Sequence, residues 1–197
     1  MIKLFLKTIV LLFALLLFNC ENNDPEDQLP PITQTGANTF GAIVDGRIFV
    51  PKTTISSTPG GSLIKGLEVY VGSNFFDSKG DDKWFISTYS SEDSPSIYIY
   101  IYLPTLLDSP KNFIINKSDG SDRFDLANAH IFCLINKGSL QYLSFENSGE
   151  LNFSKIDINK GIYSGSFYTK LKNKDNENDI IEITEGRFDI NLNTVNK

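Results

Sequence analysis

Beyond residue 38 the apolar positions come in short bursts of period two, separated by polar turn residues. That period places alternate side chains on opposite faces of a strand. TFGAIVDGRIFVP opens the pattern, with Asp45-Gly46 between two β-favouring runs. Asp-Gly predicts a tight hairpin, because a type I′ turn needs positive φ at both central positions. Pro51 ends the second strand, having no N–H to give to a ladder. Further strands are predicted at LEVYVGSNFF, WFISTYS, SIYIYIYLP, KNFIINK, NAHIFCLIN, LQYLSFE, ELNFSKIDI, GIYSGSFYTKLK, IIEITEG and RFDINL. Between them lie STPGGS, DSKGDDK, SEDSPS, SDGSD, NKGS, NSG and NKDNEND, all rich in turn formers. No segment beyond residue 20 sustains apolar spacing of three and four over a helical length. The pattern predicts an all-β fold: a single antiparallel β-sandwich or barrel-like domain over 39–194.

Two details refine that picture. In ELNFSKIDI the apolar positions change face midway, from Leu151 and Phe153 to Ile156 and Ile158, which predicts a bulge. GIYSGSFYTKLK and IIEITEGRFDI, joined by a polar tip, predict a long two-stranded ribbon with Gly165 and Gly186 marking bulges or bends.

The first twenty residues follow different rules. MIKLFLKTIVLLFALLLFNC has basic Lys3 and Lys7, then an apolar run from Ile9 to Phe18, then Cys20. This is the order of a secretory leader. The run is shorter than the roughly 20 residues needed to cross a bilayer core. No A-x-A-like pair of small residues offers ordinary cleavage. A cysteine at that boundary is the acceptor position of bacterial lipoproteins, whose lipobox this segment resembles through Leu17, with Asn19 in place of the usual small residue. The expected organisation is a lipoprotein signal peptide over 1–19 and lipidation, palmitate included, at Cys20. Several acyl chains on Cys20 satisfy the requirement for more than one lipid in a stable anchor. ENNDPEDQLPPITQTGAN then reads as an acidic, Pro-bearing, extended tether over 20–38. Glu21, Asp24, Glu26 and Asp27 beside the lipid resemble signals that send some lipoproteins to the outer cell face. A bacterial cell-envelope location at the outer membrane is expected.

Charge narrows the partners. Of 197 residues, 18 are Lys or Arg and 24 are Asp or Glu; losing Lys3 and Lys7 with the leader leaves a formal charge of −8. Such an acidic domain is not expected to bind nucleic acid. Once Cys20 is acylated, Cys133 is the remaining cysteine; within AHIFCLI it reads as a buried thiol.

TGANTFGAIVDGRIFVP near the start, with GSFYTKLKN and IIEITEGRFDI at the end, resembles a group of small bacterial envelope lipoproteins classed only as a domain of unknown function. The resemblance covers the tether, the first hairpin and the final ribbon. It implies an envelope location and a β-rich fold, and it brings neither an activity nor catalytic residues.

Candidate chemistry is sparse. His130 is the one histidine, flanked by Ala129 and Ile131 in a strand, and no nucleophile elbow accompanies it. Zinc needs several His or Cys ligands at short spacing. The acidic loops at Asp77, Asp81 and Asp82, at Asp119 and Asp122, and at Asp175, Glu177 and Asp179 lack the alternation of an EF-hand and read as turns. No cofactor, metal or catalytic residue is assigned. In SIYIYIYLP, Tyr98, Tyr100 and Tyr102 share one face while Ile97, Ile99, Ile101 and Leu103 share the other. The isoleucine face is expected in the core. The tyrosine face is either an open aromatic platform for a glycan or protein partner or a packed sheet surface. The expected function is a non-catalytic binding or interaction module, held at a membrane by its lipid. The alternative is a hydrolase of an extracellular polymer that uses a carboxylate pair.

Overall fold

The computed structural model describes residues 24–55, 61–71, 83–91, 95–105, 109–121 and 128–197, which form an almost wholly antiparallel β domain. The strands are β1 (Thr39–Val44), β2 (Arg47–Phe49), β3 (Thr54–Ile55), β4 (Leu63–Ile64), β5 (Leu67–Val71) and β6 (Trp84–Ser90). They continue with β7 (Ile97–Leu103), β8 (Asn112–Ile115), β9 (His130–Ile135), β10 (Leu140–Asp157), β11 (Ile162–Asn173) and β12 (Ile180–Asn191). One ten-stranded sheet runs β2-β1-β12-β11-β10-β9-β7-β6-β5, with β8 paired to β10; β3 and β4 form a separate ribbon.

The sheet curls on itself. Trp84 in β6 meets Tyr163 of β11 and Phe153 of β10 at ring-centroid distances of 4.5 and 5.9 Å, although β6 lies far from both in the sheet order. Those contacts require two stretches of one sheet to face each other across a common core. The expected all-β, barrel- or sandwich-like architecture is therefore present. Alternate residues supply the core: Ile86, Ile99, Ile101, Ile131, Leu151, Leu171 and Ile183 are all fully buried. The first hairpin turns through Asp45 (φ 49°) and Gly46 (φ 74°), the pair of positive angles that Asp-Gly favours.

The ribbon of β11 and β12 pairs from Ile162↔Asn191 to Lys172↔Ile180. The bulge expected in ELNFSKIDI lies between Phe153 and Lys155, where Ser154 has no opposite residue in the β11 register. LQYLSFE and ELNFSKIDI, however, are one strand of 18 residues rather than two. NSG does not reverse the chain. Asn147 (φ 55°) bulges out, and β10 passes from pairing with β9 at 140–143 to pairing with β8 at 149–152.

The larger difference is the segment before β1. Residues 25–38, expected in the extended tether, are docked on the outer face of the sheet. Asp24 caps a short 3-10 turn over Pro25–Gln28, and Leu29 buries its side chain. Arg187 Nη2 lies 3.1 Å from Glu26 Oε1. Gly36 (φ 77°) allows a turn that aims several donors at Asp189 of β12, which is 1% exposed. The Asp189 carboxylate accepts hydrogen bonds from Thr33 Oγ1 (2.6 Å), Ser164 Oγ (2.7 Å), Thr35 N and Gly36 N (2.9 Å each), Ala37 N (3.1 Å) and Thr35 Oγ1 (3.3 Å). Burial alone would raise its pKa; Thr33, Ser164 and the Ala37 and Gly36 amides outweigh that and hold it well below the usual carboxylate range. Composition does not reveal this docking because Leu29 is the segment's one buried side chain, and most of the gain comes from donating to a buried charge.

The chain's other end guards an edge. Val69 of β5 donates its N–H to Asn196 Oδ1 (3.0 Å), and Asn196 Nδ2 donates back to Val69 O (2.5 Å). A side-chain amide thus occupies part of the sheet edge, where unpaired backbone groups invite association.

Candidate functional site

The isoleucine face of β7 enters the core as expected, with Ile99, Ile101 and Leu103 fully buried. Its tyrosines divide. Tyr98 and Tyr100 are half-buried, whereas Tyr102 is 2% exposed and lies against His130 with centroids 4.6 Å apart. Tyr102 therefore presents no ring face to solvent, and at this position the open platform gives way to the packed sheet surface. Tyr100 stacks between neighbours rather than standing free: Phe132 lies at 4.5 Å with 17° between planes, Phe85 at 5.5 Å, and Tyr98 at 6.0 Å. Cross-strand aromatic packing of this kind stabilises a sheet. Tyr100→Ala is accordingly expected to lower the melting temperature by roughly 5–10 °C, from about 2–3 kcal/mol of lost packing. Native-like melting would restore the open-platform alternative.

The other sequence candidates sit in structural roles. His130 is buried, and its Nδ1 lies 3.1 Å from the Asn128 carbonyl oxygen. Burial lowers its pKa, against smaller raising contributions from the Asn128 carbonyl and Asp119. Cys133 is fully buried, and burial pushes its thiol up. Asp119 accepts from Ser121 N at 2.9 Å, an Asx turn. Asp179 accepts from Tyr142 Oη (2.9 Å) and Asn173 Nδ2 (2.8 Å), which ties the ribbon tip to β10. Asp175 and Glu177 belong to the same tip, and Glu177 is 4.0 Å from Lys172 Nζ. Among the described residues no group of three or more His, Cys, Asp or Glu side chains is arranged to hold a metal ion. Cys20, Asp77, Asp81, Asp82 and Asp122 lie outside the described residues.

A feature absent from the sequence expectations is an open depression of about 470 Å³ on the outer face of β10, β11 and β12. Its side chains come from three strands: Glu150 and Asn152 from β10, Ser166 and Tyr168 from β11, Thr184 and Glu185 from β12. Tyr168 is 52% exposed, opposite Glu150 across the β10–β11 ladder. On its other side the register jumps from Phe167↔Gly186 to Thr169↔Ile183, so Thr184 and Glu185 together face the single residue Tyr168. This is a β-bulge, the device that re-aims side chains at the rims of sheets.

Two neighbours hold the bulge. Glu185 takes φ 50°, an uncommon angle for a non-glycine residue. Its carbonyl accepts from Arg187 Nε (3.3 Å), and its carboxylate lies 3.7 Å from Arg187 Nη2. A side chain at Gly186 would stand 2.6 Å from the Phe167 ring, so β12 approaches β11 here only as glycine. The sequence carried one usable signal, the Thr184-Glu185-Gly186 break in the alternation of IIEITEGRFDI. Nothing in it showed that Glu150, thirty-five positions earlier, shares the same face.

No family model, curated protein or solved structure matches the chain.

Proposed function

We propose that the chain is a lipid-anchored protein of the bacterial envelope, at the outer membrane, whose β domain is a non-catalytic binding module. The anchor rests on the basic, apolar and cysteine order ending at Cys20, and on the likeness to small envelope lipoproteins in TGANTFGAIVDGRIFVP and IIEITEGRFDI. Among the described residues no helix is long and apolar enough to cross a membrane. The binding role rests on one observation above all: Tyr168 stands half-exposed in a depression that a bulge lines with polar side chains. That combination is typical of a recognition site, an apolar surface with a few placed polar groups.

Mass spectrometry of membrane-extracted protein should show an acylated peptide beginning at Cys20, and Cys20→Ala should leave an unprocessed precursor. An unmodified Cys20 in a soluble mature form would refute the anchor. The hydrolase alternative keeps one supporting observation, because Glu150 and Glu185 line the same depression. Both are exposed on an open surface. A carboxylate pair that cleaves glycosides needs one member kept protonated by apolar surroundings, so binding is the better account of two exposed acids.

A further inference from the structure

We propose that the depression on β10, β11 and β12 binds a neutral or amino-bearing saccharide, stacked on Tyr168. The inference deepens the binding-module reading and rests on it. Three properties select this chemistry. An aromatic face offers flat apolar area, which matches the C–H face of a pyranose ring. Around it stand Glu150, Asn152, Ser166, Thr184 and Glu185, a set dominated by hydrogen-bond acceptors. Sugar hydroxyls donate to such groups, and their bonds to ionised carboxylates are the stronger kind.

Charge decides against acidic ligands. The depression carries two carboxylates and no Lys or Arg. The adjacent Arg187 is buried, and its Nη2 lies 3.1 Å from Glu26 and 3.7 Å from Glu185. Lys170, on the same strand as Tyr168, is paired at 2.7 Å with Glu182. A phosphate, a sulfated chain or a polyuronate would meet the Glu150 carboxylate and, beside it, Glu185, whose one cation, Arg187, is buried and shared with Glu26. An amino sugar would gain from the same two carboxylates.

Topology decides against an extended peptide. Such ligands join a sheet through an edge strand, by backbone hydrogen bonds. Here β10, β11 and β12 are all interior to the sheet, each with neighbours on both sides. Recognition at this face must therefore run through side chains, and the bulge places Thr184 and Glu185 on the flank of Tyr168 opposite Glu150.

The test uses the full-length chain in detergent micelles and isothermal titration. The neutral probes are the hexasaccharides of glucose, xylose and mannose; the glucosamine trimer is the cationic probe and the galacturonate trimer the anionic one. At least one neutral or amino saccharide is expected to bind, with galacturonate weaker than that saccharide. Tyr168→Ala should weaken that binding about tenfold or more, since each tenfold is 1.4 kcal/mol and ring stacking contributes energy of that order. Tyr168→Phe should retain it, and both variants should melt as the parent does. Preferred binding of galacturonate, saccharide binding indifferent to Tyr168→Ala, or no binding to any neutral or amino probe would each overturn the proposal. A protein ligand lost in Tyr168→Ala would overturn the saccharide class and leave the binding module standing.

Discussion

Deleting residues 24–38 from the chain is expected to lower the melting temperature by roughly 6–20 °C, from about 3–5 kcal/mol of lost stability. The reason is the loss of a charge-assisted hydrogen-bond network. Of the six hydrogen bonds that Asp189 accepts, five come from Thr33, Thr35, Gly36 and Ala37, and the Ser164 hydroxyl alone would remain. Hydrogen bonds to a charged acceptor are the strong kind, and the water that reaches Asp189 in the shortened chain replaces an ordered set of donors with ordinary solvation, while the surface under Leu29 is uncovered. The deletion also removes Glu26 from the buried Arg187. Thermal melts of the two chains check this, and melting within a degree or two would show that the segment is decorative. A double-mutant cycle assigns the cause: in an Asp189→Asn background the same deletion should cost markedly less, since a neutral amide has no charge-assisted hydrogen bonds to lose.

The same group gives a pH dependence with a fixed sign. The folded-state pKa of Asp189 is depressed relative to an unfolded carboxyl near 3.9. Its contribution to stability is then fully present above about pH 5 and is lost as pH falls through the region below 4. Acid titration of the melting temperature should show that loss in the parent chain and a flatter curve in Asp189→Asn.

How much of this was legible in the sequence depended on the range of the interaction. Asp45-Gly46 and the face switch after Phe153 are local, set by φ preferences and by period two, and both stand where the pattern places them. NSG was ambiguous for a physical reason: Asn and Gly suit a chain reversal and a bulge equally, and the choice depends on which strand lies alongside. Here β8 and β9 share one edge of β10, so the strand runs on. The docked segment was illegible because its reward sits 152 to 156 residues away, in one aspartate of β12.

The sites show the same division. Alternation correctly put Tyr98, Tyr100 and Tyr102 on the face opposite the isoleucines, but it says nothing about what lies over that face. Tyr102 is covered and Tyr100 is stacked among Phe85, Tyr98 and Phe132. Tyr168 leaves no mark in the sequence pattern, because it is a single exposed aromatic whose setting is assembled from three strands.

Trp84→Ala is expected to be the most damaging single core substitution, costing about 3–5 kcal/mol. The indole is fully buried, and it joins β6 to the far side of the curled sheet through Tyr163 at 4.5 Å and Phe153 at 5.9 Å. Truncating it opens a cavity where the two halves of the sheet meet, and a closed β core collapses poorly onto such a void. The indole also carries a cost of its own: Nε1 is buried and, among the described residues, has no hydrogen-bond partner. Leaving such a donor unpaired costs about 1–3 kcal/mol. Trp84→Phe should therefore be mild, under about 2 kcal/mol, because the volume it loses is offset by removing an unsatisfied N–H. Denaturant melts followed by circular dichroism can rank the three proteins. In the parent, fluorescence of this single tryptophan should shift to the red in the same transition. If Trp84→Phe were as damaging as Trp84→Ala, the indole N–H would have to contribute a bond of its own, and the account of an unpaired donor would fail.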